Sequence, residues 1–333
     1  MKLKKLLNPT LKILMVAAVL VGLLGALAGC NGTPAVTTTQ VTTSTTTQVV
    51  TSTAITTVAL VTTSTSTATT TAANKDLILS STTSVRDSGL MDVLIPMFEK
   101  ETGYKVKPIY NGSGAAIALG QQGQADVLVV HSPADEVTFV ANGYGINRTL
   151  FATNDFVIVG PSNDPAGIKG MTSVVAAFQK IAASKSLFYS RGDASGTDKA
   201  EKAIWKTAGI TQKGQSWYVE ANVGMGDLLR IASEKQGYTY TDRATYIAQK
   251  STLSLDILVQ NDYPTMLNIY HVIEVNPIKF PTIKLNYTGA KAFVQFMVSN
   301  EAQQAIANYG VDKYGQALFF AAAGKTEASF GSK

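Results

Sequence analysis

From about residue 74 onward, this 333-residue sequence predicts an α/β fold in two lobes, each a mostly parallel sheet flanked by helices. Three observations carry that expectation. Apolar strand-like runs alternate with runs of helical period. The stretch is long enough to build two sizeable cores. Strands also end, repeatedly, in small polar or glycine turns that open directly into helices, the place where open α/β sheets hold their ligands.

The first seventy residues are of a different kind. Lys2, Lys4, Lys5 and Lys12 lead into an apolar run that ends at Leu27-Ala28-Gly29-Cys30, the pattern of an export signal. The small residues before Cys30 resemble a bacterial lipobox, in which the cysteine is lipidated and becomes the new N-terminus. Cys30 is the only cysteine, so an internal disulfide is excluded and lipidation gives the lone thiol a role. The alternative is a transmembrane anchor with an incidental cysteine, but the run is short for a spanning helix of about 20 residues. Between Lys12 and Lys75 there is no charged residue, and from residue 33 to 73 Thr, Ser, Val and Ala dominate. Nothing punctuates this tract into hairpins, and it reads as an extended linker. The chain has 28 Lys+Arg against 23 Asp+Glu, a net charge of +5. Four of the positives belong to the leader, so the remainder is near neutral and gives no reason to expect nucleic acid.

The globular part begins with a short strand in "DLILSSTTS", then a helix in "SGLMDVLIPMFEKETG" with Leu90, Leu94, Met97 and Phe98 on one face, Pro96 inside and Gly103 as stop. "YKVKPIY" is a strand, "NGSGAAIALGQQG" a turn and helix, and "ADVLVV" a strand. The alternation continues through "NDFVIVGP", "VVAAFQKIAAS", "LFYS", "GTDKAEKAIWKTAGI", "SWYVEAN", "GMGDLLRIASEKQG", "LDILVQ" and "HVIEVNP". A helical pair in "GAKAFVQFMVSNEAQQAIANYG" closes it.

Four turns share one design: Ser81-Thr82-Thr83-Ser84, Asn111-Gly112-Ser113-Gly114, Asp193-Ala194-Ser195-Gly196-Thr197 and Val223-Gly224-Met225-Gly226. Helix N-termini carry unpaired N–H groups and partial positive charge, glycine admits close approach, and hydroxyls add uncharged donors. Singly, each turn is also an ordinary helix cap; Ser195 with Asp198, and Ser84 with Asp87, have capping-box spacing. Four such turns at strand ends favour an anion site. In "SRGDASGT", Arg191 offers a permanently charged fork of donors, and Asp193 is placed to hold it. Ser195 and Thr197 supply hydroxyls, and the N–H groups of residues 195–197 open a helix. An adhesion role for Arg191-Gly192-Asp193 is poorly served by a loop that runs straight into a helix.

Little in the chain supports an enzyme. His131 and His271 are the only histidines, and no nucleophile elbow, zinc spacing, phosphate loop or dinucleotide fingerprint occurs. A hydrolase using Ser195 lacks a base. The donor set is nearly all neutral, which suits binding better than proton transfer.

The segments "STTSVRDSGL", "NGSGAAIALGQQGQADVLVVHSP", "GYGINR", "NDFVIVGPSNDPAGIKG", "SRGDASGTDKAE", "GMGDLL", "YTYTDRATY" and "VIEVNP" carry a family resemblance. Over residues 76–320 the chain resembles the solute-binding proteins of bacterial and archaeal oxyanion ABC importers, most of all the tungstate-binding branch. That resemblance implies a two-lobed periplasmic-binding-protein fold of type II, with strands crossing between lobes near residues 154–160 and 269–276. The implied ligand is tungstate or molybdate held between the lobes, and the implied partner is a membrane permease. No cofactor and no bare metal ion are implied. Sulfate or phosphate binding on the same fold is the alternative. The R-x-D-x-S-G-T stretch is similar to phosphate-binding relatives, and carrying their contacts over gives Arg191, Ser195, Gly196 and Thr197. The first lobe is expected to add Thr82, Thr83, Ser84 and Ser113, with Asp193, His131, Gly224 and Met225 adjoining.

Where phosphate binders have an Asp that accepts the proton of the ion, "VVHSP" has His131 and Ser132. That departure favours fully deprotonated oxyanions. Ser81, where a threonine is expected, is a second and minor departure. The expected layout is a signal over residues 1–30 and a linker over 31–74. One lobe is expected from 75–155 with 271–333, and the other from 156–270. The whole would be an exported monomer, anchored outside the membrane through Cys30 or periplasmic.

Overall fold

The computed structural model describes residues 40–47, 61–68 and 75–331; the apolar leader and Cys30 lie outside them. The chain divides into two compact units, Met1–Ala73 and Asn74–Lys333. In the first, β1 (Gln40–Thr47) pairs antiparallel with β2 (Val61–Ala68), from Gln40 opposite Ala68 to Thr47 opposite Val61. This pairing differs from the expectation that nothing punctuates the tract into hairpins. Threonine and valine are β-branched and fit a pleated backbone, and that propensity prevails although turn residues are missing.

The second unit opens as the sequence predicts. β3 (Asp76–Thr82) runs into α1 (Thr83–Asp87) and α2 (Leu90–Thr102), β4 (Lys105–Asn111) into α3 (Ser113–Gln121), and β5 (Val127–Val130) into α4 (Pro133–Ala141). β3 pairs in parallel with both β4 and β5. All four residues of β5 are buried, as a strand covered on both faces requires. Next comes β6 (Gly145–Gly160), then α5 (Val174–Ser184), β7 (Phe188–Ser190), α6 (Gly196–Thr207), β8 (Tyr218–Glu220), α7 (Met225–Glu234), β9 (Tyr238–Asp242) and α8 (Arg243–Gln249). β10 (Asp256–Val259) and β11 (Leu267–Val275) follow, then α9 (Tyr287–Met297), α10 (Asn300–Asn308), α11 (Val311–Tyr314) and β12 (Phe320–Ala321).

The strand order is β4-β3-β5-β11-β6-β9-β7-β8, with β10 and β12 also on β6. The outer trios are parallel, whereas the centre is antiparallel: β11 pairs antiparallel with β5 and β6, and β6 with β9. β6 joins the lobes. Up to Asp155 it faces β11, and from Phe156 it faces β9. The return crossing is earlier than residues 269–276, since β11 already pairs with β5 at His271 and β10 ends at Val259. It therefore falls within residues 260–267.

Each lobe has its own core. α2 and α9 pack through Phe98 and Phe293, rings 5.0 Å apart and edge-on. In the other lobe Phe178 of α5 meets Trp205 of α6 at 4.3 Å. Full burial of side chains this size contributes about 1.5–3 kcal/mol each, so both lobes are firm platforms for the turns at their strand ends. Among the described residues no helix is long and apolar enough to cross a membrane.

Candidate anion-binding site

The loop between β7 and α6 is wound around two carboxylates. Asp198 accepts the N–H groups of Gly192 at 2.9 Å and Ala194 at 3.1 Å, and the Ser190 hydroxyl at 3.3 Å. Asp193 accepts the Ser195 N–H at 3.1 Å through one oxygen and Nη2 of Arg191 at 2.5 Å through the other. Ser195 in turn caps α6, accepting the Asp198 N–H at 3.2 Å. Gly192 and Ala194 have positive φ, 66° and 57°, which lets the chain curl this tightly. The Ser195 N–H expected to face a ligand is thus held by Asp193, while the N–H groups of Gly196 and Thr197 remain at the open helix end.

Arg191 is 1% exposed. Its Nη2 also donates to Thr83 Oγ1 at 3.1 Å, so it is tied to both lobes. Nε and Nη1 are buried and have no hydrogen-bond partner among the described residues, and the same holds for Thr197 Oγ1. A buried guanidinium with half its fork unused is a costly arrangement unless an acceptor completes it.

Facing it, the first lobe contributes Thr82, Thr83, Ser84 and Ser113, all buried. Thr82 Oγ1 lies 3.0 Å from Ser84 Oγ, which lies 3.1 Å from His131 Nε2. Ser113, at the start of α3, accepts the His131 N–H at 3.5 Å. Burial, with the positive charge of Arg191, pushes the His131 imidazole down to about 3, so it is neutral near pH 7. Ser132 points elsewhere: its hydroxyl donates to Asp135 and its N–H to Glu136 at 2.6 Å, and Asp135 pairs with Lys199 of α6.

The fourth turn meets α1. The Met225 N–H donates to Thr83 Oγ1 at 3.4 Å, the Gly226 N–H to Asp87 at 2.9 Å, and Gly224 packs on Thr83. Its glycines, like those of the other turns, are needed for closeness between lobes. A Cβ on Gly196 would lie 2.3 Å from the His131 carbonyl oxygen, and one on Gly114 2.8 Å from that of Ala194. The N-termini of α3 and α6 therefore converge, with hydroxyls and a half-free guanidinium between them. Such a donor set is chemically suited to a compact anion. The Ser195 hydroxyl is engaged in capping α6, accepting the Asp198 N–H.

A family model, the PBP superfamily domain, matches residues 31–301. The chain belongs to the PBP superfamily. It is 48% identical over 249 residues to the tungstate-binding protein TupA of Peptoclostridium acidaminophilum, covering 74% of this chain and 86% of that protein. The solved tungstate ABC transporter structure from Geobacter sulfurreducens superposes with a TM-score of 0.65 at 44% identity, over 72% of this chain and 100% of that one. TupA from Desulfovibrio alaskensis G20 gives 0.62 at 43%, over 74% and 99%. The PBP fold here is of type II, two lobes joined by β6 and by the segment between β10 and β11.

Sequence reasoning missed several PBP residues beside the site. Asn268 and Tyr270 on β11 reach His131, the Thr245 hydroxyl donates to the Ser84 carbonyl at 3.3 Å, and Asn154 on β6 is buried. The available signal was polar residues inside strands otherwise fit for burial, as in "FATNDFVIV" and "LNIYHVIEV".

Proposed function

We propose that this chain is the tungstate-capturing component of an ABC importer, holding the ion between its lobes and handing it to a membrane permease. The observation that carries this is Arg191, a buried cation whose Nε and Nη1 lack partners among the described residues. Likeness to the tungstate-binding relatives supports tungstate within the oxyanion class. The proposed contacts are Arg191, Ser195, Gly196 and Thr197 from one lobe and Thr82, Thr83, Ser84 and Ser113 from the other. The lobes are taken as residues 75–155 with 268–333, and 156–259, joined by β6 and by residues 260–267. Asp193 positions Arg191, while Gly224 and Met225 serve the lobe contact.

Calorimetric titration with tungstate, molybdate, sulfate and phosphate tests the proposal. Tungstate and molybdate are expected to bind far more tightly than phosphate. HPO₄²⁻ would leave its hydroxyl facing donors, an unpaired group costing about 1–3 kcal/mol, or roughly 5- to 150-fold. Sulfate is a smaller tetrahedron and would sit too far from donors set for tungstate. Phosphate displacing tungstate at comparable concentration would refute the assignment.

We further propose that Cys30 is lipidated after signal cleavage and that the monomer is held outside the cell membrane by this anchor. The small residues preceding Cys30 support this. Cys30→Ser is expected to release the protein from the membrane fraction. A variant that stayed there with its leader uncleaved would point to a transmembrane anchor instead.

A further inference from the structure

Behind the candidate contacts runs a chain of side chains with both ends buried. Tyr270 OH lies 2.8 Å from the Asn268 amide nitrogen, and the Asn268 amide oxygen lies 2.9 Å from His131 Nδ1. His131 Nε2 lies 3.1 Å from Ser84 Oγ, and Ser84 Oγ 3.0 Å from Thr82 Oγ1. Tyr270, Asn268 and His131 are at most 3% exposed, and the Tyr270 and His131 rings lie against each other at 4.8 Å. A neutral imidazole has one N–H, and a carboxamide has the same outline either way round. The chain therefore runs in two senses without any net change of charge.

In the first sense, Asn268 accepts from Nδ1–H, and the bare Nε2 takes the proton of Ser84. Thr82 must then give its own proton to Ser84, and the pair has none left for an anion. In the second sense, Tyr270 donates to the Asn268 oxygen, and the Asn268 N–H donates to Nδ1. Nε2–H then donates to Ser84, and one hydroxyl proton of the Thr82–Ser84 pair no longer has a place within the chain.

We infer that His131, set by Asn268 and Tyr270, is a positioning residue that turns the Thr82–Ser84 hydroxyl pair into a donor when an oxyanion binds. A dianion attracts the freed proton and favours the second sense along the whole chain. The first sense offers lone pairs only, so a fully deprotonated oxyanion drives the chain out of it. The near-absence of a protonated imidazole, through burial, keeps the relay a matter of orientation rather than charge. The inference rests on the oxyanion reading above.

Its test is the protonated nitrogen of His131, read by nitrogen NMR in ion-free and tungstate-saturated protein. The chain has two histidines, so the His131 signals are those missing from His131→Gln. Proton on Nε2 in the tungstate-saturated protein is expected. Calorimetry accompanies it: His131→Leu is expected to weaken tungstate binding about 10-fold, one hydrogen bond's worth. His131→Gln, which places an N–H near Nε2, is expected to restore most of that loss. Tight tungstate binding with the proton on Nδ1 would overturn the relay and leave the function standing. No tungstate binding by the parent protein would overturn the function, and the relay with it.

Discussion

Replacing Arg191 by alanine is expected to weaken tungstate binding at least about 100-fold, with the fold intact. A hydrogen bond to a charged group is worth about 1.5–3 kcal/mol, and a 100-fold change represents roughly 2.7 kcal/mol. Nε and Nη1 of Arg191, without partners among the described residues, leave the buried cation at least one such bond to a dianion, with the attraction of its charge besides. The loop should survive, because its shape comes from Asp198 and from the Ser195 N–H bond to Asp193, neither of which uses Arg191. Asp193 then adds to the loss, since its carboxylate would face the dianion without its cation. Arg191→Lys should recover part only: charge returns, the fork does not. Calorimetry with a thermal melt on the same samples checks this. Parent-like affinity in the alanine variant would make Arg191 a loop support rather than a ligand contact.

Some of this arrangement was legible in the sequence and some was not, for identifiable reasons. The β-α alternation could be read because each outer strand is short and apolar and each helix begins at a turn of small residues. The pairing of Asp193 with Arg191 and the capping of α6 by Ser195 could be read because both are local. The length of β6 could not. Its pairing with β11 shifts register twice, between Tyr270 and His271 and between Val272 and Glu274, so no single alternation runs through it. The antiparallel centre was equally hidden, because direction of pairing leaves no mark on a buried strand. The relay was missed because Asn268 and Tyr270 sit in a run that looks like core, and only the folded strand shows that both face His131. The turn glycines were read as space for a ligand. Gly196 and Gly114 also give space to the opposite lobe, a long-range requirement that composition cannot express.

That requirement yields the second large effect. Gly196→Ala is expected to cost tungstate affinity about 100-fold while leaving the stability of the ion-free protein unchanged or slightly higher. Its Cβ would stand 2.3 Å from the backbone oxygen of His131 and 3.1 Å from His131 Nδ1, where ordinary contact begins near 3.4 Å. Neither side can yield locally. The oxygen belongs to the backbone at the end of β5, and α6 is fixed by the carboxylates of Asp193 and Asp198. The lobes must therefore part by about 1 Å, a misplacement large enough to cost two orders of magnitude. Hydrogen bonds lengthened that far no longer count as bonds. Stability is spared because Gly196 is the first residue of α6 and lies outside the positive-φ set, so alanine suits it locally. The clash lies between the two lobes, so a hinge motion that parts them would relieve it. The effect should be graded: Gly114→Ala, at 2.8 Å from the Ala194 carbonyl oxygen, should also cost binding, and Gly224→Ala, at 3.3 Å from a Thr83 methyl, much less. Titration of the three variants, with small-angle scattering to follow compaction on adding tungstate, measures this. A Gly196→Ala protein that bound and compacted like the parent would show that the lobes do not have to meet at this point to hold the ion.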